Sequence, residues 1–547
     1  MGDAVKRFLL AGDRSVRPTV IHLALFLAIM VATDLLLLRG MGWSVIFWGH
    51  NRPRGPAIGF ALLMIAAFAV CQRGIAFGLQ DRQVGKALTA TLIGAAAMSI
   101  LTAFAVLQRF PNSGDEYAYW FGAETYLAGR LWNAAPPLGQ LLASNYTWVA
   151  GGKWAGQYPP GWPATLAAAT AVGISPWIVG TGLAGGTMLG LYALIRRQAG
   201  RLIATLGAMV FAAAPFTIFT AASLHSHTLA AALGVGTMVT IARAAISRSI
   251  GWPILAGILI GALGVTRSVT AVAILLPFLV SLAWRRDVRT AVLVGIGGLP
   301  FIALLLWYQG SITGDPLKPV YWLSGRNVDH LYFDGPSIRI GLTQTLTRLA
   351  GLSVWTVPVL PLAWLYAFLH KLYVRRVGVA DFVFPLGVFI FVFYPLHFGN
   401  GYGPRYYFDV WPLMIYTVAS ALPDVQPAIR RGIEAVLVLS IVYGIALWPV
   451  LAADFSRITH ERRDLYDQVA ALGIRHAAVC IRSGTSPSLP MPVSDLARNG
   501  VEATGSVLYA RCDTVAPSIL FDVFPDRSLW VYDRAPDAVR GRLTRIR

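Results

Sequence analysis

Apolar runs close to twenty residues long recur along this sequence, separated by short polar tracts. A helix of about 20 residues crosses the roughly 30 Å hydrocarbon core of a bilayer. Only 13% of the residues are charged, whereas soluble domains are about 25% charged. A transmembrane β-barrel would show alternating ten-residue segments, which this sequence lacks. The pattern therefore predicts an all-α polytopic membrane protein.

About thirteen runs are predicted to be transmembrane helices, and segment 162–175 is not one of them. As a helix, that segment would rise only about 21 Å, which is too short to cross. If it lies in the interface, the dense Arg and Lys tracts between runs all fall on one face, as the positive-inside rule requires. The predicted spans are 19–38, 55–71, 87–107, 176–195, 202–220, 228–242, 252–266, 269–284, 290–308, 346–370, 380–397, 409–424 and 432–451.

Two further features follow from the distribution of charge. Residues 252–284 would form a helix of about 50 Å, so two short spans that turn at Arg267 are predicted instead. The net charge of +19 comes mostly from the tracts between spans. Because membrane topology accounts for that charge, no nucleic-acid partner is predicted.

The composition changes after residue 452, where the last apolar run ends. Short apolar segments at 477–481, 506–509 and 528–532 are predicted to be strands, with a helix at 493–499 between the first two. Residues 453–547 are therefore predicted to form a small soluble α/β domain, which topology places outside. Cys480 and Cys512 lie in it. They pair if the domain is exported, or they are two free, buried thiols.

The predicted exterior side holds the polar motifs. It contains a long loop that begins at Gln108 and a second from Gly310 to about Gln344. It also contains the turns 223–227 and 399–409. The cytoplasmic loops contain basic residues and little else. This asymmetry favours an active site that faces outward.

Asp115 and Glu116 begin a helix predicted to run to about Leu131. Adjacent helical residues point about 100° apart and do not face each other, so the pair is not expected to share a proton. One carboxylate can face a substrate while the other orients it or pairs with a cation. Alternatively, both simply stabilise the positive end of the helix dipole.

Three other polar features have a functional and a structural interpretation. Tyr158 precedes Pro159-Pro160, which ends irregular chain and starts the interfacial helix. His225 and His227 are two residues apart, a spacing that suits neither a helical metal pair nor a zincin site, and a polar turn is their structural interpretation. Arg267 and Arg405 are isolated cations with no obvious acid nearby. They suit phosphate binding or snorkelling to the interface.

Together these motifs resemble those of the GT-C glycosyltransferases, including protein O-mannosyltransferases and aminoarabinose transferases of the family-39-like bacterial branch. The resemblance covers about residues 86–450. The matching motifs are Asp115-Glu116-x-x-Tyr119, Tyr158-Pro159-Pro160-Gly161-Trp162, Ser223-Leu224-x-Ser226-His227, Thr266-Arg267, Thr313-Gly314-Asp315-Pro316 and Gly403-Pro404-Arg405-Tyr406-Tyr407.

The resemblance implies an inverting transfer of a sugar from a polyprenyl-phosphate donor to an acceptor hydroxyl, or to an amine-bearing lipid, a glycan or a protein, on the exterior face. The enzyme would lie in the bacterial inner membrane with its C-terminal domain outside. Residues 1–85 would add N-terminal helices to a catalytic module, 86–452, that includes the external loop 108–175. No cofactor is required, and the sequence does not support a divalent metal, although one is possible.

The family's first carboxylate is its catalytic base, a role that maps to Asp115. The expected substrate-binding and donor-binding residues are Glu116, Tyr119, Lys153, Tyr158, His225, His227, Arg267, Arg405 and Tyr406. Some relatives carry a lysine before the two prolines, where this chain has Tyr158. Lys153 is the nearest lysine to that position.

Three other classes of protein also have many membrane spans. A lipid or glycan transporter or flippase would place its polar residues near the bilayer midplane in paired broken helices, whereas here they cluster on one side. An O-antigen ligase or polymerase would also have a large exterior loop, but later in the chain. A non-catalytic scaffold accounts for none of the polar motifs.

Overall fold

A computed structural model describes residues 81–247, 249–324, 333–356, 360–394, 402–482, 493–513, 515–535 and 538–547. The predicted spans 19–38 and 55–71 lie outside these residues. Helices dominate the described chain, and two small sheets complete it.

The first half of the described chain is mainly helical. Its one long loop region lies between the first and third helices and contains the second. The helices are α1 (Asp81–Leu101, continued by a π-helical turn at Thr102–Val106), α2 (Gly114–Leu127), α3 (Gly161–Ala171), α4 (Pro176–Ala213), α5 (Pro215–Ala222), α6 (His227–Ala244), α7 (Gly251–Gly264), α8 (Ser268–Arg285) and α9 (Val288–Thr313).

The second half contains helices α10 (Gly335–Trp355), α11 (Leu360–Tyr373), α12 (Val379–Ile390), α13 (Trp411–Ala421), α14 (Pro427–Ala471) and α15 (Ser518–Val523). Short 3-10 turns lie at Gly139–Leu141, Val320–Ser324, Phe391–Phe393, Arg405–Tyr407, Leu422–Asp424 and Val493–Leu496.

Several predicted spans match observed helices to within a few residues, and the predicted turn at Arg267 is confirmed between α7 and α8. Two predicted spans differ from the observed helices, and a proline explains the first. The predicted span 202–220 belongs partly to α4, which bends at Gly200 and ends before Pro215. The predicted span 346–370 is divided between α10 and α11, and residues 357–359 lie outside the described part of the chain. Proline lacks an amide hydrogen and disfavours a helical residue before it.

Helix α14 is much longer than the span predicted at 432–451. Its 45 residues correspond to about 68 Å, twice the thickness of the hydrocarbon core. The second half of α14 therefore extends well beyond an apolar layer. It carries charged residues that pack against the C-terminal sheet.

Among the described residues, five helices are long and apolar enough to cross a membrane, or six if α5 and α6, bent by 117°, are counted as one. Large apolar side chains on α8 and α9 face outward, and Trp284 is 89% exposed. Such a surface suits lipid rather than water. The chain is an integral membrane protein, while the total of about thirteen spans stays a prediction.

The loop between α1 and α3 forms a small antiparallel sheet that was not predicted. Strands β1 (Asn133–Ala134), β2 (Thr147–Ala150) and β3 (Lys153–Gly156) lie in the order β1-β3-β2. Helix α2 ends at Leu127, four residues earlier than predicted. Gly129 follows with a positive φ of 72°, a conformation that ends helices.

A second sheet contains the three predicted C-terminal strands and one more. Strands β4 (Ala477–Arg482), β5 (Val507–Arg511), β6 (Ser528–Asp533) and β7 (Arg542–Arg545) lie in the order β5-β4-β6-β7. Strand β4 is parallel to β5 and β6, and β7 is antiparallel to β6. The predicted helix at 493–499 is only a 3-10 turn. Cys480 and Cys512 form a disulfide bond between neighbouring strands, which decides between the two alternatives.

The C-terminal sheet shares a hydrophobic core with the loop that follows α1. Tyr117 and Phe121 of α2 and Trp154 of β3 are buried in one cluster with Cys480 and Leu508. Burial of large aromatic side chains contributes much of the packing energy of such a cluster. The position of α2 therefore depends on residues from the end of the chain.

Helices α7 and α9 cross at two glycines. A Cβ atom on Gly257 would lie 2.1 Å from the carbonyl oxygen of Val294, and one on Gly297 would lie 2.1 Å from that of Ile254. Helix α7 leads directly to Arg267, and α9 carries Tyr308, whose hydroxyl donates to the Tyr158 carbonyl at 3.1 Å. This crossing therefore sets the spacing between Arg267 and the loop that holds Tyr158.

We expect Gly297→Ala to separate the two helices and destabilise the protein by about 1–3 kcal/mol, since overpacking forces backbone shifts. Gly295→Ala is the matched control, because a Cβ there meets open space. Alanine should even favour the helix at that position, by up to about 1 kcal/mol. Thermal unfolding in detergent measures both, and equal effects of the two substitutions would contradict the close crossing.

Candidate active site

The first turn of α2 places Asp115 and Glu116. Ser113 caps the helix: its hydroxyl accepts from the Glu116 amide at 3.3 Å, and the Ser113 amide donates to Glu116 Oε2 at 3.1 Å. This reciprocal capping box fixes where the helix begins. Gly114 is required because a Cβ there would lie 2.7 Å from the Tyr146 ring. Tyr146 consequently packs directly beside Asp115.

Asp115 is held by two side chains that are distant in sequence. The Tyr158 hydroxyl donates to Oδ1, and Arg405 Nη2 donates to Oδ2 at 3.0 Å. The side chains of Asp115 and Arg405 are 13% and 11% exposed. A charge-assisted pair this sheltered from water is stronger than a surface pair.

Arg405 also links Asp115 to His225. Its Nη1 lies 2.6 Å from His225 Nε2. Because a guanidinium can only donate, Nε2 must accept and the ring carries its proton on Nδ1. That nitrogen lies 3.0 Å from the Ser223 hydroxyl, which can accept from it. His225 is thus a neutral acceptor that orients the guanidinium.

A second buried network is centred on Asp409. Arg267 Nε and the Thr270 hydroxyl both donate to Asp409 Oδ2 at 2.5 Å. His227 Nδ1 lies 2.8 Å from Oδ1. The Asp409 side chain is fully buried, so its charge must be compensated by these partners. Sequence reasoning missed this residue, although it is the last residue of the turn predicted at 399–409, which contains Arg405.

The description of Arg267 and Arg405 as cations without a nearby acid was wrong. Arg405 pairs with Asp115, 290 positions away, and Arg267 pairs with Asp409, 142 positions away. Sequence proximity could not show these pairs, because folding brings the partners together. Arg405 Nε nevertheless remains buried without a hydrogen-bond partner among the described residues, so one donor of its guanidinium is unused.

Tyrosines surround the two networks. The rings of Tyr119 and Tyr158 stack with centroids 4.3 Å apart, and the Tyr119 hydroxyl lies 2.9 Å from that of Ser226. The guanidinium of Arg405 lies 5.9 Å from the centroid of the Tyr406 ring, and the guanidinium of Arg348 lies 5.0 Å from it. These contacts orient the cations through their attraction to aromatic faces.

Glu116 points away from Asp115 and has separate partners. It accepts from the Leu224 amide at 3.2 Å and from the Tyr402 hydroxyl at 3.3 Å. Burial raises the pKa of Glu116 to about 7, although the Leu224 amide, Ser113 and the charge of Arg498 each favour the ionised form. Glu116 therefore ties α2 to the turn between α5 and α6.

Lys153 belongs to neither network. Its amine donates to the Ser311 carbonyl at 2.6 Å and lies 5.1 Å from the centroid of the Trp132 ring. The structure thus brings together Asp115, Tyr119, Tyr158 and both arginines with both histidines, and places Lys153 elsewhere. Among the described residues, no group of three or more His, Cys, Asp or Glu side chains is arranged to hold a metal ion.

Known structures share this architecture. The crystal structure of ArnT from Cupriavidus metallidurans in the apo state matches with a TM-score of 0.52 and 14% identity, over 81% of this chain and 93% of that one. The structure of the same protein bound to undecaprenyl phosphate matches with a TM-score of 0.54 and 12% identity, over 84% and 98%. No protein-family model matches the sequence, and no curated protein matches it.

The likeness extends over most of both chains. It confirms the GT-C fold that the sequence motifs predicted. At this level of identity the comparison establishes the fold alone, and the roles of individual residues depend on the geometry described above.

We expect Glu116→Gln to flatten the pH dependence of stability. The unfolded carboxyl ionises near its ordinary pKa of 4.5, and the folded one ionises near 7. The folded state therefore holds its proton more tightly, and as pH rises from 4.5 to 7 the parent loses about 3 kcal/mol of unfolding free energy. Glutamine cannot ionise, so the variant should not show this loss.

Thermal unfolding in detergent at pH 5 and pH 8 measures the effect. Glu502→Gln is the control because its carboxylate is 60% exposed, and it should keep the slope of the parent. A slope in Glu116→Gln as steep as that of the parent would assign the pH dependence to another group.

Proposed function

We propose that this protein is an inverting glycosyltransferase that moves a sugar from a polyprenyl-phosphate donor to an acceptor on the exterior face of the membrane. The observation that carries the proposal is Asp115, held between Tyr158 and Arg405 beside a second buried arginine. A carboxylate and two guanidiniums in one site provide a base and an anion site, and a membrane-embedded fold suits a lipid-linked donor.

Arg405 is proposed to bind the donor phosphate. Its Nε is unused, and guanidinium forks match phosphate oxygens in two-point hydrogen bonds. The similar fold of ArnT, whose structure includes undecaprenyl phosphate, supports a lipid phosphate as the ligand. When the phosphate leaves, negative charge grows on it, and a preplaced cation lowers the barrier. Arg267, held by Asp409, supplies a second positive charge nearby.

Asp115 is proposed to be the base. Phosphate would compete for Arg405 and release Oδ2 of Asp115 from its ion pair. The acceptor oxygen or nitrogen then attacks the anomeric carbon, its proton passes to Asp115, and the bond from that carbon to the phosphate oxygen breaks with its electron pair. Attack opposite the leaving phosphate inverts the anomeric carbon. Tyr158 keeps the carboxylate aimed at the acceptor through Oδ1.

The exterior location is part of the proposal. The basic tracts between spans favour it, and the Cys480–Cys512 disulfide bond is typical of an oxidising compartment outside the cytosol. We therefore place the site and the C-terminal sheet outside a bacterial inner membrane. A polyprenyl-phosphate donor fits this placement because nucleotide sugars are made in the cytosol.

We expect Asp115→Asn to lower the transfer rate by about 10²–10⁴-fold, because asparagine keeps the shape but cannot take the proton. The assay measures sugar transfer from a polyprenyl-phosphate donor by the purified full-length protein. Asp526→Asn, a change at an exposed aspartate, should behave like the parent. Normal turnover by well-folded Asp115→Asn would reject its role as base.

The same assay in sealed vesicles tests the orientation. Vesicles with the exterior face outward should act on added acceptor, whereas inverted vesicles should require permeabilisation. Movement of the donor lipid across the bilayer without transfer would instead favour a flippase.

We expect Arg405→Ala to weaken binding of a polyprenyl phosphate and to slow transfer more than Arg405→Lys does. Lysine keeps the charge but loses the two-point fork, so its defect should be intermediate. The Michaelis constant for the acceptor should change little. Arg376→Ala, at a guanidinium 66% exposed, is the control. If Arg405→Ala binds the lipid phosphate as tightly as the parent, Arg405 is only a structural partner of Asp115.

A further inference from the structure

Residues 495–499, which we call the bridging segment, connect the C-terminal sheet to the start of α2. The segment begins within the 3-10 turn that ends at Leu496. Three of its residues, Asp495, Arg498 and Asn499, contact parts of the chain more than 350 positions earlier. None of these three residues takes part in the proposed transfer chemistry.

The first set of contacts holds the chain on both sides of Asp115. Arg498 Nη1 donates to the Pro111 carbonyl at 2.6 Å, and its guanidinium lies 5.0 Å from the Phe110 ring centroid and 5.4 Å from that of Tyr117. The Tyr117 hydroxyl donates to the Asn499 carbonyl at 2.5 Å. The first turn of α2 is therefore fixed from the side opposite the arginine networks.

The second set holds the loop that carries Tyr146. Asn499 Nδ2 donates to the Leu142 carbonyl at 2.8 Å, and the Ser144 hydroxyl donates to the Asp495 carbonyl at 2.8 Å. Tyr146 has a positive φ of 66°, which is strained for an aromatic residue and persists only where neighbours enforce it. The bridging segment thus supports the backbone on which the Tyr146 ring meets Gly114.

The bridging segment is itself anchored in the C-terminal region. Arg462 of α14 forms a buried ion pair with Asp495, and the Tyr466 hydroxyl donates to the Leu496 carbonyl at 2.6 Å. The Tyr509 amide of β5 donates to Asn499 Oδ1 at 2.9 Å. Each end of the connection is therefore rigid, so displacement of the segment would displace α2.

We infer that the C-terminal region acts in the transfer reaction by positioning Asp115, with Arg498 as the principal positioning residue. The inference rests on the proposed function of Asp115. The physical reason is that a misplacement of about 1 Å by a residue remote from the chemistry can cost about 100-fold in rate. Arg498 touches no reacting atom, and it acts through Pro111 and Tyr117 on the helix that carries the base.

The kinetic test compares Arg498→Gln, Arg498→Lys and Tyr117→Phe in the full-length protein. Arg498→Gln should lower kcat by about tenfold or more, while the Michaelis constant for the polyprenyl-phosphate donor changes less than about twofold. Arg498→Lys keeps a cation near the two rings and should recover part of the loss. Tyr117→Phe keeps the ring and removes one hydrogen bond, so its defect should be smaller.

The matched control is Arg130→Gln. Arg130 also joins the α2 side of the protein to the C-terminal region, through Glu502 at 3.1 Å, but the side chains are 37% and 60% exposed. This variant should keep the kcat of the parent. An equal loss in Arg130→Gln would show that any weakened contact between the two parts lowers activity, and would overturn the specific role of Arg498.

Hydrogen exchange of the same variants separates this inference from the proposed function. Amides of residues 114–121 should exchange faster in Arg498→Gln, whereas those of α6 should not change. Unchanged exchange at 114–121 would overturn the inference even if activity fell. Faster exchange with normal kcat would also overturn it. If the parent transfers no sugar at all, the proposed function fails, and the exchange result alone decides whether Arg498 holds α2.

Discussion

The buried ion pair between Asp115 and Arg405 is the interaction on which the rest of the site depends. Removing one partner of such a pair leaves an uncompensated charge in a sheltered place, which typically costs about 3–5 kcal/mol. The chain must therefore bring the start of α2 to the turn before α13, 290 positions later. The Arg267–Asp409 pair imposes the same demand on α7, α8 and α13. Two charge pairs thus tie together helices from most of the described chain.

The same principle applies away from the site. Lys371 donates to both oxygens of Asp381 at 2.6 and 2.7 Å and to the Ser420 hydroxyl at 2.9 Å, which joins α11, α12 and α13. There the charges are fully used by one another. At the candidate site, Arg405 keeps one donor, Nε, without a hydrogen-bond partner among the described residues.

Much of the helical framework could be predicted because apolar run length is a local property. The turn at Arg267 followed from the length limit of a span, and the start of α2 followed from its two carboxylates. The predicted span 202–220 was wrong because the apolar run continues across Pro215, where a new helix begins. The 133–156 sheet was missed because its strands are only two to four residues long, too short for a periodic pattern.

The sequence by itself determined the membrane class, the approximate helices and the polar residues from which a site could be built. Those properties depend on composition and spacing along the chain. The tertiary structure decided which acid pairs with which arginine, that Asp409 joins the network of Arg267, that Lys153 lies outside both networks, and that residues 495–499 contact the start of α2. Charge pairing and packing act between residues hundreds of positions apart, and one sequence contains no local signal of where such partners meet.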